Sequence, residues 1–302
     1  MGAVAVRDSW TIRNEARLLV APSLLFLICF SLVPFVVLIL FSVLDLNLSK
    51  PANLWAFVGL KHYRTLLQAD ASFDQGVIRT LQFTAIGVFF ELGIGLALGL
   101  FLYAQSSWVQ SFIVSVAILP MMMAPVAVGL MWLFLLQPDY GLISHLLKTA
   151  TGFNGALLAR PDLALLVVRL IDVWEWTPFV TLVVLAGLTA IPRDIRAAAD
   201  VDGLRWKQRI QVLYWPALRG VLVVALLLRV IEAVKVFDIV YILTGGGPGN
   251  TTEMVSVYIQ RLAIRETQFG YGAAATLLFE YLLLLLTAAF FRVAVANRKG
   301  SS

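Results

Sequence analysis

Six apolar runs separated by shorter polar stretches set the organisation of this chain; they cover about residues 18–43, 80–103, 112–136, 163–188, 218–243 and 273–293. A helix needs about 20 mostly apolar residues to cross the hydrocarbon core of a bilayer, and each run is long enough. The pattern therefore predicts an all-α polytopic membrane protein of about six transmembrane helices, forming one transmembrane domain over residues 1–302. The first run is too long for the core of a signal peptide and no small-residue cleavage pattern follows it, so it reads as an uncleaved span. Pro22 and Pro34 are tolerable there because neighbouring groups can satisfy the freed backbone carbonyls. Residues 45–79, with Trp55 and Tyr63, read as a loop with some interfacial helix.

Within the spans, small and kinking residues have defined places. Gly95 and Gly99, at GxxxG spacing in the second span, predict close approach of another helix, and Glu91 lies in the same span. In the third, Pro120 and Pro125 flank three methionines and should bend or break the helix. Ionisable groups inside spans are costly, about 2.5–3.5 kcal/mol each on insertion scales, and so should face protein or water. The fifth span carries Arg229, Glu232, Lys235 and Asp238, alternating in sign at a spacing of three, which predicts a ladder of mutually neutralising neighbours. The fourth carries Arg169, Asp172 and Glu175 interleaved with Trp174 and Trp176. Together they predict a polar cavity or a buried network between spans four and five. Carboxylates beside indoles suit hydroxyl-rich rings: carboxylates accept hydrogen bonds from sugar hydroxyls and an aromatic face covers an apolar sugar face. Asp172, Trp174, Glu175, Trp176, Glu232, Lys235 and Asp238 are thus candidates for a substrate pathway, with ion pairs that only fix helix packing as the other reading of the fifth span.

Between spans four and five lies a charged island, residues 191–216. Pro192 suits the first turn of a helix, Asp194 its positive end and Gly203 a left-handed stop. The result is a helix of roughly three turns. Ile195, Ala198, Ala199 and Asp202 fall on one side, a small smooth face suited to docking, while Arg196 and Asp200 are spaced to pair across one turn. A helix lying on the membrane surface has the same residues.

Composition adds that 60% of residues are hydrophobic, too many for a soluble domain. The net charge of +5 does not form a nucleic-acid patch but follows topology. With the amino terminus inside, the inner segments hold Arg7, Arg13, Arg17, the five cations of the island (Arg193, Arg196, Arg205, Lys207 and Arg209) and Arg219, and Arg292, Arg298 and Lys299. The longer outer segments hold fewer per residue, so both termini and the island are expected in the cytoplasm. Cys29 has no partner in the chain and forms no intrachain disulfide.

Three stretches carry a family resemblance. The run AAADVDG, followed by Leu213, Tyr214, Trp215 and Pro216, resembles the EAA loop of permease subunits of binding-protein-dependent ABC importers. Ala198, Ala199, Asp202, Gly203 and Pro216 match the pattern, whereas the family's glutamate position is Ala197 here. LPMMMAPVAVGLMWLFLLQPDYGLI and VFDIVYILTGGGPGNTTE resemble the corresponding stretches of sugar-importer permeases of the maltose and glycerol-phosphate type. The resemblance covers most of the chain from about Pro120 onward. It implies a coupling helix, with Arg196, Ala197, Ala198, Ala199, Asp200, Asp202 and Gly203 seated in a groove of a cytoplasmic ATPase. Also implied are a second homologous permease, two ATPase subunits holding ATP and Mg, and an external solute-binding protein. The cargo would be a sugar or oligosaccharide moved by alternating access, with glycerol-phosphate or a polyol as neighbouring alternatives.

No Walker phosphate loop occurs, because the run from Thr244 to Asn250 is glycine-rich but lacks the Gly-Lys-Ser/Thr ending. The two histidines, His62 and His145, form no zinc-ligand pattern, and no nucleophilic set is legible, so the chain reads as a translocation subunit and not an enzyme. The competing class is a stand-alone secondary transporter or channel for a small polar solute. It would work without an ATPase and would show internal repeats, which are not evident.

Overall fold

The computed structural model describes residues 19–50 and 55–299, and the amino-terminal Arg7, Arg13 and Arg17 lie outside that range. The helices are α1 (Leu19–Ser42), α2 (Lys61–Gln68), α3 (Ala71–Tyr103), α4 (Ser107–Met122), α5 (Pro125–Leu135), α6 (Leu142–Thr151), α7 (Pro161–Thr189), α8 (Arg193–Val201), α9 (Trp206–Arg209), α10 (Trp215–Val234), α11 (Asp238–Thr244), α12 (Val255–Gln260) and α13 (Phe269–Lys299). Strands β1 (Leu44–Asp45) and β2 (Ala56–Phe57) form the one antiparallel pair among the described residues. The fold is all-α. Of the described helices, three are long and apolar enough to cross a membrane singly, and five if each bent pair counts as one span.

Two compact units divide the chain, one of residues 1–69 and 261–278 and the other of residues 70–260 and 279–302. In the first, α1 widens to a π stretch at Ile28–Leu32 just ahead of Pro34. A proline in a helix frees the carbonyl one turn before it, and a widened turn is one way to accommodate the gap. Where α1 ends, the Tyr63 hydroxyl donates to Ser42 Oγ at 2.7 Å, and the next residues meet the start of α13 through Gly270 N to Leu46 O at 3.2 Å and Leu48 N to Thr267 O at 3.1 Å. A Cβ on Gly270 would lie 2.1 Å from Leu44 O, so the backbones can approach this closely only because that residue is glycine.

The second unit is built on α3 and α7. α3 begins at Ala71, well before the apolar run, because the Asp70 side chain caps it, accepting from Ser72 N and Phe73 N at 3.0 Å each. The buried stripe of α3 steps by four through Phe83, Gly87, Glu91, Gly95 and Gly99. A Cβ at Gly95 would lie 2.6 Å from Val180 Cβ, and one at Gly99 2.5 Å from Val184 Cγ1, so the GxxxG face meets α7 as the spacing predicts. The third apolar run breaks between its prolines, and α4 and α5 are bent by 97°.

The fifth run departs from a single helix. α10 stops at Val234 and α11 starts at Asp238, so Arg229 and Glu232 are on one helix, Asp238 is on another, and Lys235 lies at the break. α11 packs on α5, where a Cβ on Gly129 would lie 3.1 Å from Ile242 Cβ. The glycine-rich loop that follows is tightly folded: Gly245, Gly246, Gly249 and Asn250 take positive φ, and the Thr252 hydroxyl bridges Thr244 Oγ1 at 2.6 Å and Gly247 O at 2.8 Å.

Two apolar cores lie along α7. One gathers Val168 and Ile171 with Phe83, Val128, Val240 and Met254. The other gathers Val180, Val184 and Leu188 with Ile191, Tyr214 and Leu218. Asp172 and Glu175 fall between them along the helix.

Candidate functional site

Between those cores three helices contribute one charge each to a closed cluster. Arg229 of α10 donates through Nε to Glu91 Oε2 at 2.5 Å and through Nη2 to Glu91 Oε1 at 2.9 Å, and the same Nη2 reaches Asp172 Oδ2 at 2.5 Å. Arg229 is 2% exposed, Glu91 0% and Asp172 3%, so the charges satisfy one another without solvent. A planar guanidinium grips Glu91 in two-point fashion and still has a nitrogen edge for a second carboxylate, which a lysine lacks. Burying such ions is expensive, and only close pairing of this kind offsets it. The Arg229 guanidinium also lies 4.6 Å from the centre of the Trp176 ring.

The sequence-predicted ladder is therefore replaced by long-range partners. Arg229 does not pair with Glu232, because a helical neighbour three residues on points away from the α3–α7 seam that holds Glu91 and Asp172. Glu232 and Lys235 are exposed and Asp238 is half-buried. The buried network expected between spans four and five exists, but it takes in α3 as well. Glu91 is the member that local sequence reasoning left out, although its position four residues before Gly95 places it on the face that meets α7.

The other pathway candidates divide by exposure. Glu175 is buried, 3% exposed. Trp176 is half-buried against Arg229 and Phe179, so one face of its ring is covered. Trp174, two residues away, is exposed and meets Trp132 edge-on at 5.3 Å. The indole nitrogen of Trp132 is buried without a hydrogen-bond partner. Arg169 lies over Phe83 at 5.7 Å, its Nε likewise buried and unpartnered.

At the other end of α7 the charged island folds largely as the sequence predicts. α8 turns away from α7 by 77°, with Pro192 at its entry and Gly203 at φ +64 just beyond its end. Ala199 is buried and Arg196 is half-buried, its Nη1 donating to the Tyr103 hydroxyl at 3.0 Å. The expected pair between Arg196 and Asp200 does not form. Asp200 instead meets Arg209 Nη2 at 2.7 Å, because Arg196 turns inward to the end of α3 while Asp200 faces outward. Of the predicted docking face, Ile195, Ala198 and Asp202 are exposed, as are Ala197 and Gly203, whereas Ala199 faces the bundle. Val201, 87% exposed, extends that apolar display.

A membrane-embedded helical bundle that engages its buried charges in holding spans together and displays one short helix off the end of a span has the build of a transport permease. The chain belongs to the family of inner membrane components of binding-protein-dependent transport systems, whose pattern matches residues 91–300. It is accordingly a multi-pass inner-membrane transport subunit and not a catalytic enzyme. The trehalose/maltose transport system permease protein MalF of Thermococcus litoralis is 33% identical over 237 residues, 78% of this chain and 79% of that one. The sulfoquinovosyl glycerol transport system permease protein SmoG of Agrobacterium fabrum is 32% identical over 289 residues, 93% of this chain and 90% of that one. Among solved structures, a bacterial alginate ABC transporter in complex with an alginate pentasaccharide-bound periplasmic protein shares the fold, with a TM-score of 0.80 at 20% identity over 94% of this chain and 96% of that one.

Proposed function

We propose that this chain is one of two permease subunits of an ABC importer that carries a sugar or oligosaccharide into the cytoplasm by alternating access. The observation that carries this reading is the displayed α8, a short helix with an exposed face of Ile195, Ala197, Ala198, Val201 and Asp202 joined directly to a span. Relatives named for trehalose, maltose and sulfoquinovosyl glycerol support the cargo class. ATP and Mg sit on two cytoplasmic ATPase subunits, not on this chain, and an external solute-binding protein delivers the sugar. Both termini and α8 face the cytoplasm. Closure of the ATPases on ATP moves α8, and the bundle opens outward because the two states differ in how α8 is held.

Solute contact in this reading falls to the accessible residues Trp174, Glu232 and Lys235, while Asp172, Glu175 and Trp176 shape the wall behind them. Arg229 is paired with two carboxylates, Glu91 and Asp172, so the cluster offers no surplus positive charge to an anionic cargo, which favours an uncharged saccharide over glycerol-phosphate.

The test is reconstitution of the whole importer in vesicles, with labelled sugar uptake measured with and without internal ATP, for the native chain and Ala198→Trp. Ala198 is exposed, so the bulky indole fits the isolated subunit but not a close docking groove. The expected result is ATP-dependent uptake in the native complex. In the variant, co-purifying ATPase falls by about tenfold or more, equivalent to at least roughly 1.4 kcal/mol. Uptake by the chain alone, driven by an ion gradient, would overturn the reading in favour of a secondary carrier.

A further inference from the structure

The first unit holds a polar cavity of about 310 Å³ that the transport reading does not use. Asp45 and Asn47 reach it from the segment after α1, Lys50 from the loop beyond, Lys61 and Thr65 from α2, and Tyr271 from the first turn of α13. Its place in the fold is set by two spans. α1 and the apolar part of α13 are each long and apolar enough to cross the bilayer, and the cavity sits where α1 has ended at Ser42 and α13 begins at Phe269. Chain at the junction of a span with its polar connection lies at the level of lipid headgroups. The side chains around it agree. Trp55, Phe57 and Leu60, in and just after the hairpin that carries Asp45, are exposed by 59%, 78% and 72%, an apolar and aromatic display of the kind found at membrane interfaces.

The charges in the cavity are not engaged with one another. Among the described residues, neither Lys50 nor Lys61 forms an ion pair, and the Asp45 carboxylate has no cationic partner. Two ammonium groups, one carboxylate and flanking hydroxyl and amide groups make a surface of mixed sign. The complement is a ligand with a compact anionic centre and a cationic end. A cavity near 310 Å³ is at the small end of ligand sites, about 300–1,000 Å³, which suits a headgroup better than a sugar chain.

We infer that this cavity is a headgroup site for a phospholipid whose phosphodiester carries a primary ammonium, as in phosphatidylethanolamine. Lys50 and Lys61 face the phosphate, and Asp45, with Asn47 beside it, faces the ammonium. A Lys near the membrane surface attracts an anionic headgroup, so the pair fixes the phosphate. The carboxylate supplies the selection. Against phosphatidylglycerol it meets only hydroxyls, and against phosphatidylcholine it meets an ammonium whose methyl groups leave no N–H to donate. The site does not depend on which solute is transported.

Native mass spectrometry of the delipidated full-length chain, titrated separately with phosphatidylethanolamine, phosphatidylglycerol and phosphatidylcholine of matched acyl chains, tests this. The first equivalent of phosphatidylethanolamine is expected to be retained about tenfold more tightly than either other lipid. Asp45→Asn should erase that preference while leaving phosphatidylglycerol retention unchanged. The double variant Lys50→Gln, Lys61→Gln should weaken retention of all three lipids by about tenfold or more. Equal retention of the three lipids, a preference for phosphatidylglycerol, or an Asp45→Asn variant that keeps the native ranking would overturn the assignment. The native ranking decides the matter even where a variant fails to fold.

Discussion

Arg229→Met is expected to destabilise the bundle by about 3–5 kcal/mol, because it leaves Glu91 and Asp172 facing each other in the protein interior with no cation between them. The magnitude follows from the asymmetry of buried ion clusters. A complete cluster contributes little relative to an apolar replacement, whereas removing one partner strands the others at the full cost of their burial. Methionine keeps the length and flexibility of the side chain, so lost packing is a minor part of the effect. The measurement is thermal unfolding of the detergent-solubilised chain, followed by loss of the monodisperse peak on size-exclusion chromatography. A second variant separates charge from shape: Arg229→Met combined with Glu91→Gln and Asp172→Asn should recover most of the lost stability. Were Arg229→Met alone to unfold at the native temperature, the cluster would not be holding the three helices together.

The second large effect is steric. Gly95→Ala and Gly99→Ala each place a methyl carbon within 2.6 Å of α7, a separation that side chains do not tolerate, so α3 and α7 must move apart. Overpacking of this kind costs about 1–3 kcal/mol per site, and more where backbone must shift. The added methyl carbons would also lie close to backbone oxygens of α7, 3.1 Å from Thr177 O at Gly95 and 3.2 Å from Thr181 O at Gly99. Gly93→Ala is the internal control, because a Cβ there meets nothing within 4 Å. Alanine is the better helix former by about 1 kcal/mol, so that variant should be neutral or slightly stabilised. A compensating pair adds discrimination: with Val184→Gly the small residue moves across the seam, and Gly99→Ala becomes tolerated. If Gly99→Ala is as benign as Gly93→Ala in melting temperature, the seam is not the close contact described.

What was legible in the sequence was whatever depends on neighbours along the chain. The first, second and sixth apolar runs marked long apolar helices, Pro120 and Pro125 the break in the third, and Gly95 and Gly99 a seam, whereas the break in the fifth run was not foreseen. Pro192 and Gly203 bounded the short helix, because cap and turn preferences act within a few residues. Two of the errors share one cause: a local partner was inferred where a distant one wins. Arg229 has Glu232 one turn away but binds Glu91, 138 residues earlier, and Asp172, 57 earlier. Arg196 likewise passes over Asp200 for the Tyr103 hydroxyl. In low-dielectric surroundings an ion gains most from partners that share its burial, and an exposed neighbour such as Glu232 offers little. Such a choice needs the packing of three helices, which no window of sequence contains. Asp70 is the reverse case, a local signal overlooked because hydropathy marked only the apolar part of α3 and not its capped polar start.

The hydrogen bond between Arg196 and Tyr103 fastens α8 to the end of α3 as well as to α7, and it has a mechanical consequence. α3 and α7 are locked along the glycine seam and by the Glu91–Arg229–Asp172 cluster, so the two helices form a stiff double rod. From Thr189, where α8 turns off, back to Asp172 is about 26 Å of helix at 1.5 Å per residue. In the importer proposed above, a push on α8 would act on two fixed points at the foot of that rod and not on one flexible joint. It would tilt the pair as a single lever, delivering the displacement of a surface helix deep into the membrane with little lost to bending.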